Sequence, residues 1–165
     1  MTNMNEQYAP IYNKIEALVD PGLPLISNLA NVSSILYGLY DVNWAGFYLS
    51  NNAFLFLGPF QGEVGCLMIN YNEGVCGAAY TQKKTIVVDN VHKFPGHIAC
   101  SGKTNSEIVV PIIVDDIVMG VIDIDSPVYS RFGDNEKELL EEVAKLLAST
   151  CFKKKNPFGI LFIHK

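Results

Sequence analysis

The stretch SEIVVPIIVDDIVMGVIDID, residues 106–125, is the part of the sequence that decides the fold class. Two apolar runs, 106–114 and 117–125, are joined only by Asp115 and Asp116. Apolar, β-branched runs of this length around a two-residue connection predict a β-hairpin. We expect this hairpin to lie at the centre of the sheet.

More strands are predicted upstream of the hairpin. The run NWAGFYLSNNAFLFLGPF, residues 43–60, predicts a second hairpin around Asn51 and Asn52, whose side chains tolerate left-handed turns. CLMIN (66–70) and TIVVD (85–89) predict two further strands of the same sheet. A short helix is expected between them, over residues 75–81.

Helices are predicted at both ends of the chain. Apolar residues recur at three- and four-residue steps from Tyr8 to Val19 and from Leu25 to Leu39, with the second helix ending near Gly38. A last helix, capped by Asp134, has an apolar face made by Leu139, Leu140, Val143, Leu146 and Leu147. Together these elements predict one α+β domain over residues 1–152, with a mainly antiparallel central sheet flanked by helices. The tail at 153–165 is left unassigned.

Composition excludes several classes of protein. Of the 165 residues, 49% are hydrophobic and 18% are charged, which suits a compact domain with a real core. The net charge of -5 argues against nucleic acid, whose binding depends on clustered Lys and Arg. The N-terminus lacks a signal-peptide pattern and no apolar run is long enough to span a membrane, so we expect a cytoplasmic protein.

The chain has four cysteines, Cys66, Cys76, Cys100 and Cys151. In a cytosolic protein they should be mostly reduced, and a disulfide there is more often transient or catalytic than structural. No C-x-x-C pair and no matching histidine spacing is present, so we expect no metal site.

Cys100 lies in the polar segment HIACSGKTN, inside a long stretch without periodicity at residues 89–105. A thiol in such a loop is reachable by solvent and substrate, and its thiolate would be a strong nucleophile. His97 and His92 precede it and could lower its pKa. If Cys100 is oxidised to a sulfenic acid, Cys66 and Cys76 are the two candidates for the thiol that condenses with it.

Carboxylates are concentrated in the central hairpin. Asp123 and Asp125 are two residues apart on one strand, so their side chains must face the same side of the sheet, and Glu107 lies in the neighbouring strand. This face either meets water or forms a pocket for a cation, such as a metal or a ligand ammonium, with one carboxyl group held protonated as a general acid. Trp44 and Tyr48 could supply an aromatic wall.

These motifs resemble the free methionine-(R)-sulfoxide reductases, a family built on a GAF-type domain. The resemblance is carried by NWAGFYL (43–49), LGPFQG (57–62), EGVCGAAY (73–80), VVDNVHKFPGHIACSGKTNSEIVVPI (87–112) and GVIDIDSP (120–127). It covers most of the chain from about residue 8 to residue 150.

The resemblance implies roles for individual residues. Cys100 would be the catalytic thiol, Cys66 the resolving thiol, and Cys76 a further cysteine with an active part in some members. The substrate pocket would comprise Trp44, Tyr48, Glu107, Asp123 and Asp125. The implied reaction reduces free methionine (R)-sulfoxide through a sulfenic acid and a disulfide, with no bound cofactor and with a thioredoxin-like dithiol, or dithiothreitol in vitro, as reductant.

Two competing interpretations stay open at this point. A sensory GAF module would bind a small ligand without turnover, and a redox switch would use Cys66 and Cys100 without any substrate pocket. GAF domains often dimerise through terminal helices, so a homodimer is a further expectation from the resemblance.

Overall fold

The computed structural model describes residues 5–97 and 102–152. Within them lie four α-helices, a short 3-10 helix at Val91–Lys93, a π-helix at Ala148–Phe152 and one six-stranded sheet. The α-helices are α1 (Ala9–Leu18), α2 (Leu25–Tyr37), α3 (Gly74–Gln82) and α4 (Asp134–Leu147). The strands are β1 (Trp44–Ser50), β2 (Leu55–Gly62), β3 (Met68–Ile69), β4 (Ile86–Val88), β5 (Ser106–Val114) and β6 (Ile117–Ser126).

The sheet has the order β3-β2-β1-β6-β5-β4, and every neighbouring pair is antiparallel. The expectation of an α+β domain with a mainly antiparallel sheet is confirmed. The β5–β6 hairpin lies near the centre, as predicted, and its turn residues Asp115 and Asp116 have φ of 48° and 66°. Positive φ at both central residues gives a turn whose twist matches that of the flanking strands.

The two faces of the sheet are covered differently. Helices α1, α2 and α4 cover one face, and they bury a large apolar core that includes Phe47, Ile108, Ile122 and Ile124. Helix α3 packs on the opposite face over β5 and β6, and its smaller core includes Trp44, Tyr48 and Cys76.

Two local predictions need correction. The strand expected at 66–70 has only the two residues Met68 and Ile69, because β3 pairs with β2 only at Leu55 and Phe56. Asp134 is the first residue of α4 and not its cap, since Gly133 caps the helix and donates its N–H to Glu136 at 2.9 Å.

The tail at 153–165 lies outside the described residues. No helix in the part of the chain that the structure describes is both long and apolar enough to cross a membrane.

Candidate active site

The register of the central strands brings the predicted pocket residues into rows. Trp44 on β1 pairs with Asp125 on β6, and Asp125 pairs on its other side with Glu107 on β5. In the next row on the same face, Gly46 pairs with Asp123. Residues that are directly opposite or two apart share a face, so all three carboxyl groups and the indole lie on the α3 side of the sheet.

A small cavity of about 30 Å³, measured as the space open to the centre of a water molecule, lies over these rows. The described residues that line it include no Lys and no Arg. They are Trp44, Tyr48, Val64, Gly65, Ile69, Glu73, Gly74, Val75, Cys76, His97, Thr104, Glu107, Asp123 and Asp125.

The acidic face is a pocket and does not open broadly to water. Glu107 and Asp123 are each only 6% exposed, and Asp125 is half-buried. Asp125 interacts with the hydroxyl of Thr104, whereas Asp123 Oδ1 has no hydrogen-bond partner among the described residues. Of the two interpretations of the Asp123–Asp125 pair, the structure therefore favours the pocket.

Burial is the main cause of the raised pKa values of these carboxyl groups. It raises the pKa of Glu107, Asp123 and Asp125 well above their usual range, because desolvation disfavours the charged form. The charges of the neighbouring carboxylates raise each pKa further. The cluster can thus both attract a cation and donate a proton.

Aromatic rings form one wall of the pocket. Trp44 stacks on Tyr48, with ring centroids 5.8 Å apart, and on Phe60, with centroids 5.3 Å apart. Its indole N–H donates to the carbonyl of Glu63 at 3.0 Å. Gly46 makes room for this stack, since a Cβ at that position would lie 2.4 Å from the Cβ of Phe60 and 2.8 Å from the indole.

The described cysteines lie in three different environments. Cys66, between β2 and β3, is half-buried and disulfide-bonded. Cys76 on α3 is a free thiol, 3% exposed, and burial followed by the charges of Asp123 and Glu107 raises its pKa. Cys151 is a free thiol in the core under the helices, and burial raises its pKa to about 11.

Cys100 lies outside the described residues, which leave out 98–101. The structure does describe the residues on either side of that gap. His97 lines the pocket, where its Nε2 is 3.3 Å from Glu107 Oε2, and burial lowers its pKa. Lys103 forms an exposed ion pair with Glu63, and neither residue lines the pocket.

His92 has a different environment from His97. Its Nε2 is 2.9 Å from Asn105 Oδ1, and its ring meets the edge of Tyr129. The first contact joins two residues of the long 89–105 segment to each other, and the second places His92 against the chain that follows β6. Of the two histidines that the sequence singles out, His97 is the one beside the carboxyl groups.

Sequence reasoning missed two residues of this site. Thr104 is 3% exposed, and it contacts Asp125 while its Oγ1 accepts from Asn43 Nδ2 at 3.3 Å. Thr104 lies two residues before Ser106, where β5 begins, and this position was the sequence feature that could have identified it. Phe60 extends the aromatic stack from β2, which only the register opposite Gly46 reveals.

Known proteins resemble this chain in sequence and in fold. The GAF domain family model matches residues 24–151. The free methionine-R-sulfoxide reductase of Saccharomyces cerevisiae is 46% identical over 158 residues, which cover 90% of this chain and 88% of the yeast protein. The free methionine-R-sulfoxide reductase of Escherichia coli is 43% identical over 157 residues, which cover 92% of this chain and 95% of that protein.

A solved structure shares the fold at high similarity. It is the free methionine-R-sulfoxide reductase of Neisseria meningitidis in complex with its substrate. It superposes with a TM-score of 0.83 at 34% identity, and the match covers 91% of this chain and 93% of that chain.

Proposed function

Because the chain belongs to the free methionine-R-sulfoxide reductase family of GAF-domain proteins, we propose that it reduces free methionine (R)-sulfoxide to methionine with its cysteine thiols. One observation carries the proposal for this chain. Three carboxyl groups from adjacent strands, two of them buried and one half-buried, converge beside an aromatic wall, in a cavity whose described lining has no Lys or Arg.

The carboxyl cluster recognises the ammonium group of the substrate. A buried group of acids with no cationic partner gains most from a cation, which relieves their mutual repulsion and supplies hydrogen-bond donors. A free amino acid offers an ammonium at this position, whereas the same nitrogen of a residue inside a polypeptide is an amide. The apolar rings of Trp44 and Tyr48 pack against the side chain of the substrate.

The chemistry transfers oxygen from one sulfur to another. The thiolate of Cys100 attacks the sulfoxide sulfur while a protonated carboxyl group gives its proton to the oxygen, with Glu107, Asp123 and Asp125 as the candidates. The S–O bond of the substrate breaks, methionine leaves, and Cys100 becomes a sulfenic acid. The substrate sulfur gains two electrons and the cysteine sulfur loses two.

Cys66 resolves the sulfenic acid. Its thiol attacks Cys100, a disulfide forms, and water leaves. Two observations support Cys66 over Cys76: Cys66 is disulfide-bonded while Cys76 is not, and the raised pKa of the buried Cys76 thiol keeps it protonated and weakly nucleophilic. A thioredoxin-like dithiol of the cytoplasm then reduces the disulfide by exchange, so no bound cofactor is required.

Substrate binding activates the thiolate. Neighbouring carboxylates disfavour a further anion, and His97 offers little compensation because its pKa is lowered by burial. The ammonium of the bound substrate offsets this negative charge. Methionine, which keeps the ammonium and lacks the sulfoxide oxygen, should therefore lower the pKa of Cys100, and an unchanged pKa in its presence would contradict this step.

An assay of methionine release from free methionine sulfoxide, with dithiothreitol as reductant, tests the function. We expect turnover of the R epimer, no turnover in Cys100→Ser with binding retained, and near-normal turnover in the matched control Cys151→Ser. N-acetylmethionine sulfoxide should be a poor substrate because it has no ammonium.

Other outcomes would assign the domain differently. Saturable binding without turnover would support a sensory GAF module, and neither binding nor turnover would support a thiol switch. A large loss of turnover in Cys151→Ser would show that the catalytic thiols are misassigned.

A further inference from the structure

A thiol lies at the acidic end of the pocket, although recognition of an ammonium does not require one. Cys76 reaches this position from α3, while Glu107 and Asp123 reach it from β5 and β6. Its Sγ and one carboxyl oxygen of each acid all lie within 4.8 Å of one another. Three elements of the fold thus bring one sulfur and two oxygen ligands to one point.

The side chain of Asp123 is a second indication that this cluster binds a ligand. The residue is only 6% exposed, and its Oδ1 forms no hydrogen bond with any described residue. Buried polar atoms in native proteins nearly always have a partner, because desolvation without one is costly. Asp123 belongs to the same cluster as the thiol and lines an open cavity.

The ligand set selects a class of cation. Ca²⁺ and Mg²⁺ prefer oxygen ligands alone, whereas Zn²⁺ binds thiolates together with carboxylates at four-coordinate sites. Three protein ligands leave a fourth position, which the cavity can fill with water. A divalent cation would also relieve the repulsion among the three anionic ligands.

We propose that Cys76, Glu107 and Asp123 form a binding site for a thiophilic divalent cation such as Zn²⁺. Binding releases the thiol proton to solvent and joins the sulfur to the metal. The cation uses two of the carboxyl groups that the proposed function assigns to the ammonium, so metal and free amino acid exclude each other. That exclusion rests on the proposed function, whereas metal binding itself does not.

Cobalt(II) is the probe of choice, because cobalt–thiolate coordination has a charge-transfer absorption that carboxylates alone do not produce. The protein is used oxidised, with Cys66 in its disulfide, so that the free thiols among the described residues are Cys76 and Cys151. We expect one equivalent of Co²⁺ to give the thiolate band, and Zn²⁺ to displace it.

Three variants locate the metal. Cys76→Ser should lose the thiolate band, Asp123→Asn should weaken Co²⁺ binding about tenfold or more by analogy with the loss of one ligand, and Cys151→Ser should bind like the wild type. Absence of the band in the wild type, or its persistence in Cys76→Ser, would overturn the proposal. Loss of the band in Cys151→Ser would do the same.

Competition with free methionine separates the two proposals. If methionine weakens Co²⁺ binding, both hold. If Co²⁺ binds through Cys76 and methionine has no effect at any concentration, the metal site stands and the assignment of the carboxyl cluster to the ammonium fails. Methionine release, measured separately on the reduced protein, reports the catalytic function without reference to metal.

Discussion

The two faces of β6 carry opposite kinds of side chain. Ile122 and Ile124 point toward α1, α2 and α4 and are fully buried among apolar side chains. Asp123 and Asp125 alternate with them and point into the pocket. One strand therefore contributes to the apolar core through one face and to the candidate site through the other.

The pocket face of β6 lowers the stability of the fold, whereas the helical face raises it. Full burial of an Ile side chain contributes about 1.5–3 kcal/mol. On the pocket face, burial and mutual repulsion raise the pKa values of the carboxyl groups, which means that their charged forms destabilise the folded state. The helical face must supply the free energy that holds these groups together.

The largest effect should come from Asp123→Asn. We expect kcat/KM for free methionine sulfoxide to fall about 100-fold or more, because the amide can neither ionise to hold the ammonium nor serve as a general acid. The free energy of unfolding should stay the same or rise, since one charge is removed from a repulsive cluster.

Denaturant unfolding and the methionine-release assay measure the two quantities. Asp116→Asn is the matched control, because Asp116 lies in the exposed turn of the same hairpin and its side chain is 87% exposed. A loss of several kcal/mol in Asp123→Asn would mean that this carboxyl group is structural, and the contrast between the faces would disappear.

Ile124→Ala tests the opposite face. Removal of a fully buried Ile side chain should cost about 2–5 kcal/mol of unfolding free energy, because a cavity forms where the helices pack on the sheet. The fraction that remains folded should keep its kcat/KM. Ile117→Ala, on the same strand at a side chain that is 57% exposed, serves as the control and should change stability little. Equal losses in both variants would show that burial under the helices is not the cause.

A smaller effect is expected in the dependence of stability on pH. A carboxyl group whose pKa is raised by folding binds more protons in the folded state than in the unfolded state. The free energy of unfolding therefore falls as the pH rises from the unfolded-state pKa of about 4 to the folded-state pKa. The difference in unfolding free energy between wild type and Asp123→Asn should therefore widen from pH 5 to pH 8, to the disadvantage of the wild type. Urea titrations across this range measure it, and a difference that stays constant would show that Asp123 does not titrate.

Much of the fold could be predicted from local patterns. Helices α1, α2 and α4 follow from period-3.6 apolar patterns, because each has to place its apolar side chains on a core. The two hairpins follow from apolar or aromatic-rich runs around two turn residues. The short β3 could not be predicted, since a strand ends where its partner ends, and β2 pairs with it at only two residues. The glycine cap of α4 was missed for a similar reason, as Asp134 is a good cap by residue type but lies inside the helix.

The candidate site, too, could be predicted only in part from the sequence. Alternation alone predicts that Asp123 and Asp125 share a face, and their residue type predicts a cation as partner. Neither alternation nor residue type predicts that Thr104 contacts Asp125, or that the thiol of Cys76 on α3 lies near Asp123. Those contacts join residues that are 20 to 50 positions apart in the chain.

By itself the sequence determined which residues are apolar, how they alternate, and which side chains can carry redox, acid or cation chemistry, because these properties belong to single residues and their near neighbours. Tertiary structure alone decided that the acidic face is enclosed and that the pKa values of its carboxyl groups are raised. The physical reason is that desolvation and Coulomb repulsion depend on distances through space. Those distances exist only after α3 and the loops have closed over the sheet.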